Sequence, residues 1–226
     1  MAVTGARMLS VEEASRYAGG LDDPARLVSS FAGVAANLSS NGISIHGNAP
    51  HLLQWRMEDV EIPNPNHFAD ISILGGGVLS SLSSQVLGNS DFFTGAFPAE
   101  YGNAVSGVFD MKLRNGNNRK MENTLQAGIL GLDIASEGPL SKKHQASYIF
   151  NYRYSTTGLL NRIYPGLDMG GTLDYQDLNF KLNFPTRKAG TFSVWGTSLI
   201  DKYEGDFEDN PQEWEHTRDN FKSEAK

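Results

Sequence analysis

The sequence predicts two unlike halves: an α+β unit, a small mixed sheet with short helices over residues 1–116, then antiparallel strands over 117–226. Three observations lead there. Gly95 to Arg114 sets a crowd of turn-formers (Gly95, Pro98, Gly102 and Asn103) directly before a strand running from Val105 to Leu113. Ser147 to Ser155 alternates Tyr148, Phe150, Tyr152 and Tyr154 against Ser147, Asn151, Arg153 and Ser155, the period of a half-buried strand. The apolar runs are short and none approaches the roughly 18–20 residues of a membrane-crossing helix, whereas a barrel strand needs only about 9–11.

Composition narrows the function classes. At 226 residues, 39% hydrophobic and mean hydropathy −0.36, the chain is neither a helical membrane protein nor a disordered one. It has no cysteine, which removes a disulfide framework and any thiolate metal site, and which suits the periplasm or the outer membrane. The net charge of −7 is uneven: Asp201 to Asp219 holds eight acidic and two basic residues, as in a solvated loop. There is no basic stripe, so nucleic acid is not an expected partner. No apolar leader opens the chain, so a signal peptide has been removed or the chain begins inside a longer one.

In the first half, Ser10 to Tyr17 reads as a helix, with Ser10 as cap and Glu13 as its capping-box partner. Asp23 caps a second short helix, with Pro24 in its first turn, running to about Phe31 before Gly33. Ile43 to Gly47 is a short strand in which His46 faces solvent. Leu52 to Ile62 reads as one strand and its extension, and Pro63 to Phe68 as irregular chain, its two prolines denying ladder donors. Ile73 to Val78 is glycine-rich but lacks the Lys-Ser/Thr of a phosphate loop. Leu79 to Gly88 is a turn or short helix before a strand at Ser90–Thr94.

In the second half, the apolar face slips phase between Ile129 and Leu130, which predicts a tight hairpin around Gly128–Gly131. Gly138 to His144 is a turn, Thr156 to Thr172 a longer connection, and Leu178–Phe184 and Phe192–Ile200 the last strands, about five in all. Ile149 is the one apolar residue on the polar side of its strand. On pattern alone, a lipid-facing wall around a wet lumen and a soluble antiparallel sandwich fit equally well. Catalytic chemistry is not signalled: the histidines at 46, 51, 67, 144 and 216 lack ligand spacing, and no nucleophile elbow occurs.

Phe97-Pro-Ala-Glu-Tyr-Gly-Asn-Ala-Val-Ser-Gly-Val-Phe-Asp-Met-Lys-Leu-Arg114 resembles the closing segment of the plug domain in TonB-dependent outer-membrane transporters, in the form of Bacteroidetes-type receptors. Asp23-Pro-Ala-Arg-Leu27 is similar to that family's DPARL element. Ile43–Gly47 resembles its first plug strand, with His46 where arginine is common, and 57–68 resembles its next region, with Met57-Glu-Asp-Val replacing the usual Asp-Gly. The matching positions are Asp23, Pro24, Arg26, Gly95, Phe97, Pro98, Glu100, Tyr101, Gly102, Ser106, Gly107 and Arg114. The resemblance implies an α+β plug over 1–116, then the first strands of a truncated transmembrane β-barrel over 117–226, ending in an acidic extracellular loop.

Its further implications concern function. They are ligand-gated uptake of a large nutrient (siderophore, glycan or peptide), with no enzymatic activity and no cofactor. The partners implied are a TonB-type energy-transducing protein, whose contact box is not seen here, a surface lipoprotein and outer-membrane lipid. Plug loops carrying Asn48, His51, Asn64, Asn66 and His67 would face the ligand. The alternative is a soluble, secreted β-rich binding or adhesion module. If the wall faces lipid, Phe150→Arg is expected to cost about 2–4 kcal/mol and Arg153→Ala much less. Valine at Gly102 or Gly107 is expected to destabilise more than Ala104→Ser.

Overall fold

The computed structural model describes residues 5–10, 23–36, 41–69, 77, 79–128, 131–155, 172–205 and 221–224. The expected helix at 10–17 apart from Ser10, the glycine-rich 73–78 stretch apart from Gly77, the 156–171 connection and the acidic 206–220 segment lie outside them. The elements are β1 (Ala6–Leu9), α1 (Pro24–Leu27), β2 (Val34–Ala36), β3 (Ile43–Ile45), β4 (Leu53–Met57), β5 (Val60–Ile62), β6 (Asn66–His67) and β7 (Leu79–Ser80). Next come β8 (Ser90–Phe93), β9 (Gly107–Met111), β10 (Glu122–Ala127), β11 (Gly131–Ser141), β12 (Ala146–Ser155), β13 (Thr172–Pro185), β14 (Thr191–Gly205) and β15 (Phe221–Glu224).

The first sheet runs β1-β8-β9-β4-β5 and is mixed, because β4 and β9 pair in parallel while the other pairs are antiparallel. Of the two expected helices, the second falls among the described residues and is present. Asp23 does cap α1, accepting from the Ala25 amide at 2.9 Å, and Pro24 supplies the preset first turn. The helix then tightens into a 3-10 turn at Val28–Ser30 and stops.

One face of this sheet makes the main core. Leu9, Leu53, Trp55, Met57, Phe92, Phe109 and Met111 pack with Val28, Ile45, Leu82 and Val86. Trp55 stacks on Phe109 at 5.2 Å between centroids, and Phe92 meets Phe109 edge-on at 5.5 Å. The other face is strapped by the 95–106 segment. Tyr101 inserts there, donates to the Asp110 carboxylate at 2.9 Å and packs against Phe93 at 4.9 Å. Burial, then that hydrogen bond to Asp110, pushes the phenol's pKa up.

The expected single strand at 52–62 is broken. Glu58 and Asp59 both have positive φ, 50° and 69°, and form the two-residue turn that folds β5 back on β4. Such turns favour Gly and Asn, yet Glu58 is fixed from two sides. Its amide donates to the Met111 carbonyl at 2.9 Å, and its carboxylate accepts from the Leu113 amide at 2.7 Å.

The two motif glycines separate. A Cβ on Gly107 would lie 2.2 Å from Ile45 Cδ1 and 2.8 Å from the Phe93 carbonyl oxygen; at Gly102 nothing lies within 4 Å. Gly107→Val is therefore expected to cost roughly 1–3 kcal/mol by overpacking, and Gly102→Ala no more than about 0.5. The crowding supports the glycine expectation at Gly107 and not at Gly102. Urea midpoints of the two variants test it, and coincident midpoints would refute the assignment.

The second sheet is antiparallel throughout, ordered β10-β11-β12-β13-β14-β15. Among the described residues it holds six strands where about five are expected, and Asp201 belongs to β14. The phase slip does mark a hairpin, closed by the Gly128 amide on the Gly131 carbonyl at 2.9 Å. One face stays uncovered, with Leu125 at 72%, Phe192 at 58% and Ile200 at 55% exposure, beside Leu132, Ile134, Tyr154, Leu178 and Phe184. The other face lies on the first sheet's body. Ile149 there is 1% exposed and joins the main core with Trp195, which explains the apolar residue on a polar side. Among the described residues no helix is long and apolar enough to cross a membrane, which says nothing about strands.

Candidate functional site: a buried charged seam between the sheets

Strand register sets inward side chains in rungs. Asp133, Arg153 and Asp177 lie directly opposite one another on β11, β12 and β13; Asn151, Asn179 and Thr197 form the next rung, and Ile149, Lys181 and Trp195 the one after. The first half presents a matching edge: β6, β7, the serines that follow β7, the Glu58 turn, and the chain leaving β9.

Arg153 is the centre. Its Nε and Nη2 bind Asp177 at 2.8–3.1 Å, and Nη2 also donates to the Ser80 carbonyl. Asp177 is 2% exposed and Arg153 8%. Asp177 Oδ2 also meets His67 Nε2 at 3.0 Å, while His67 Nδ1 lies 3.4 Å from Asp201 Oδ2. Asp201 accepts the Phe68 amide at 2.6 Å, and Tyr175 lies 4.9 Å from the imidazole, ring to ring. Burial works against a proton on His67, but Asp177 and Asp201 outweigh it and raise its pKa above the ordinary value.

Behind Ser80 sits Asp23. Its Oδ2 accepts from the Ser80 amide at 2.9 Å and from Asn41 Nδ2 at 2.6 Å, so the helix cap also anchors β7. Burial raises its pKa, opposed by those hydrogen bonds and by Arg153.

Further along, Asn179 Nδ2 donates to the Ser81 carbonyl at 2.8 Å and Ser83 Oγ to Asp133 at 3.0 Å. Lys181 Nζ donates to both Glu58 oxygens at 2.9 and 3.0 Å and to the Leu113 carbonyl at 2.9 Å. Arg114 makes a two-pronged pair with Glu137 at 2.8 and 2.9 Å, and Glu137 also takes the Asn117 amide. Gly116 passes so close beneath β12 that a Cβ would sit 1.9 Å from the Tyr148 carbonyl oxygen. The middle rung is incompletely served: Asn151 Oδ1, Asn179 Oδ1, Thr197 Oγ1 and Ser81 Oγ are buried with no protein partner.

The sequence-selected residues scatter. Asn66 and His67 are buried in the seam at 2% and 0% exposure, not on an open loop. Asn48 caps its own turn on the Ile45 carbonyl at 2.9 Å, Asn64 accepts the Asn66 amide at 3.1 Å, and His51 is exposed. Of the motif positions, Asp23 and Arg114 reach the seam. Gly95, Phe97, Pro98, Glu100, Tyr101, Gly102 and Ser106 form the strap on the opposite face, and Pro24 and Arg26 lie in α1. Sequence reading missed Glu58, Asp177, Asn179, Lys181 and Asp201 as site residues. Alternation had put most of them on a polar face, and polarity alone points to water. Among the described residues no cluster of three or more His, Asp or Glu is arranged to hold a metal ion.

No protein-family profile matches the sequence, and no curated protein matches it significantly. Solved structures do match in fold. The ferric enterobactin receptor of Pseudomonas aeruginosa aligns at TM-score 0.57 and 14% identity, over 89% of this chain and 33% of that one. The outer membrane transporter YddB of Escherichia coli aligns at 0.59 and 14%, over 88% and 33%. The copper transporter OprC aligns at 0.56 and 12%, over 91% and 32%. In fold, the chain corresponds to about one third of the length of these proteins.

Proposed function

We propose that this chain is the plug and first barrel strands of a TonB-dependent outer-membrane transporter of the Bacteroidetes type, with residues 1–116 as plug and 117–226 as the first wall. The activity proposed for the whole protein is ligand-gated uptake of a large nutrient. A TonB-type partner supplies the pull, and a surface lipoprotein is a further partner. Asn48, His51 and Asn64 are the loop residues left to face a ligand.

One observation carries the reading: among the described residues, the second sheet is polar and charged on the face that holds the first half, and apolar on the face that is exposed. A soluble sandwich buries its apolar face on itself. A lipid-facing wall does the reverse. The seam also suits an occluding part that must move. Hydrogen-bonded ions and amides regain water on separation, whereas an apolar seam of the same size would resist it by roughly 25 cal/mol per Å².

The absence of cysteine supplies a clean test. Single cysteines replacing Leu178, Phe192 or Ile200 are expected to resist a water-borne maleimide in outer-membrane vesicles and to react after detergent extraction. Equal reactivity in both states would overturn the wall assignment. For transport, cells lacking the gene should lose growth on a ferric siderophore, an oligosaccharide or an oligopeptide as sole iron, carbon or nitrogen source. Unchanged growth on all three would remove the uptake reading.

A further inference from the structure

We propose that His67 is held as a buried imidazolium that pins β6 to two strands of the wall, and that losing its proton releases this pin. A neutral imidazole has one N–H and one lone pair, so it can serve one carboxylate; the cation donates from both nitrogens. Here both nitrogens lie near carboxylate oxygens: Nε2 is hydrogen-bonded to Asp177 at 3.0 Å, and Nδ1, which has no hydrogen-bond partner, lies at ion-pair distance from Asp201, 3.4 Å, with His67 at 0% exposure. In the neutral form, one ring nitrogen would present its lone pair to a carboxylate inside a site without solvent, a repulsive contact of the kind buried polar groups avoid.

The charges around the ring agree. Every element packed on it contributes: Asp177 and the Tyr175 ring from β13, Asp201 from β14, Arg153 from β12, and, behind Arg153, Asp23 ahead of α1. With the imidazole neutral, Arg153 is the one cation described among four carboxylates, Asp23, Asp133, Asp177 and Asp201. With it charged, the chain Asp201–His67–Asp177–Arg153–Asp23 alternates in sign. The sign of the linkage follows. A raised histidine pKa gives a stabilisation fully present below the ordinary value of 6.5 and lost as pH rises through the folded-state value. Burial raises the pKa of Asp23, which likewise favours the seam toward acid. The pin therefore weakens toward alkaline pH. It acts at β6 and at Phe68, whose amide is held by Asp201, while Lys181–Glu58 and Arg114–Glu137 keep the lower seam closed.

The test reads the proton directly and stands apart from any transport assay. The full chain, labelled with ¹⁵N-histidine and folded in micelles, is titrated by NMR, with His67→Gln identifying the His67 signal. The expected result is imidazolium shifts for His67 at pH 7.5, where free imidazole is neutral. Asp201→Asn keeps the shape of the site and is expected to lower the His67 midpoint by roughly 1–3 pH units, with faster amide exchange at Phe68 above the new midpoint. Neutral-imidazole shifts at pH 7.5 would overturn the proposal. So would a midpoint unmoved by Asp201→Asn, because the second carboxylate would then take no part.

Discussion

Truncating Arg153 to alanine is expected to remove about 3–5 kcal/mol of stability, more than any other single truncation along the seam. The reason lies in what stays behind. Asp177 keeps its charge at 2% exposure with His67 as its one remaining partner among the described residues, and the Ser80 carbonyl loses the Arg153 donor. Pattern reading assigned this side chain to a wet lumen and a small cost. The structure places Arg153 against β7 instead of water. Urea unfolding of the full chain in micelles measures it. Arg153→Met paired with Asp177→Leu is the control: with both charges gone, most of the loss should return, because two apolar groups of similar size replace the pair. A double variant as weak as the single one would mean that Arg153 acts by packing its stem rather than by its charge.

Much of the fold was legible because it rests on local chemistry. Asp23-Pro24 signals a helix start through capping geometry, and the tyrosine and phenylalanine alternation of β12 signals a two-faced strand. The misses share one cause. Glu58-Asp59 has none of the glycine or asparagine that announces a primed turn, because contacts from Met111, Leu113 and Lys181 hold it in place. β6 and β7 are two residues long, paired as Asn66 with Ser80 and His67 with Leu79, and carry no period to detect. His67 was noticed as a loop histidine; its burial depends on Asp177 and Asp201, 110 and 134 positions further along. A seam between distant strands is written in register, and register is not visible in either partner alone. Ile149 was the exception, a break in alternation that pointed inward.

The outer face is tested by Phe150→Arg, expected to cost about 2–4 kcal/mol if the residue sits near the middle of a lipid layer. Phe150 lies in the middle of β12, opposite Ser136 and Phe180, and stacks on Tyr148 at 6.5 Å between centroids. Phe180 leans over Gly196, where a Cβ would meet its ring at 2.7 Å, so the phenyl rings shield bare backbone as well as offering apolar surface. An arginine at 150 would have to carry its charge toward an interface through that layer. In water the same change on an uncovered face would cost no more than about 0.5 kcal/mol. The two readings of the second sheet therefore differ several-fold in one number. Urea titrations of the wild-type and variant chains in lipid bilayers supply it, with Phe150→Leu as an apolar control. A loss below about 1 kcal/mol, equal to that of the control, would show that this face meets water or protein, and the barrel wall would have to be given up.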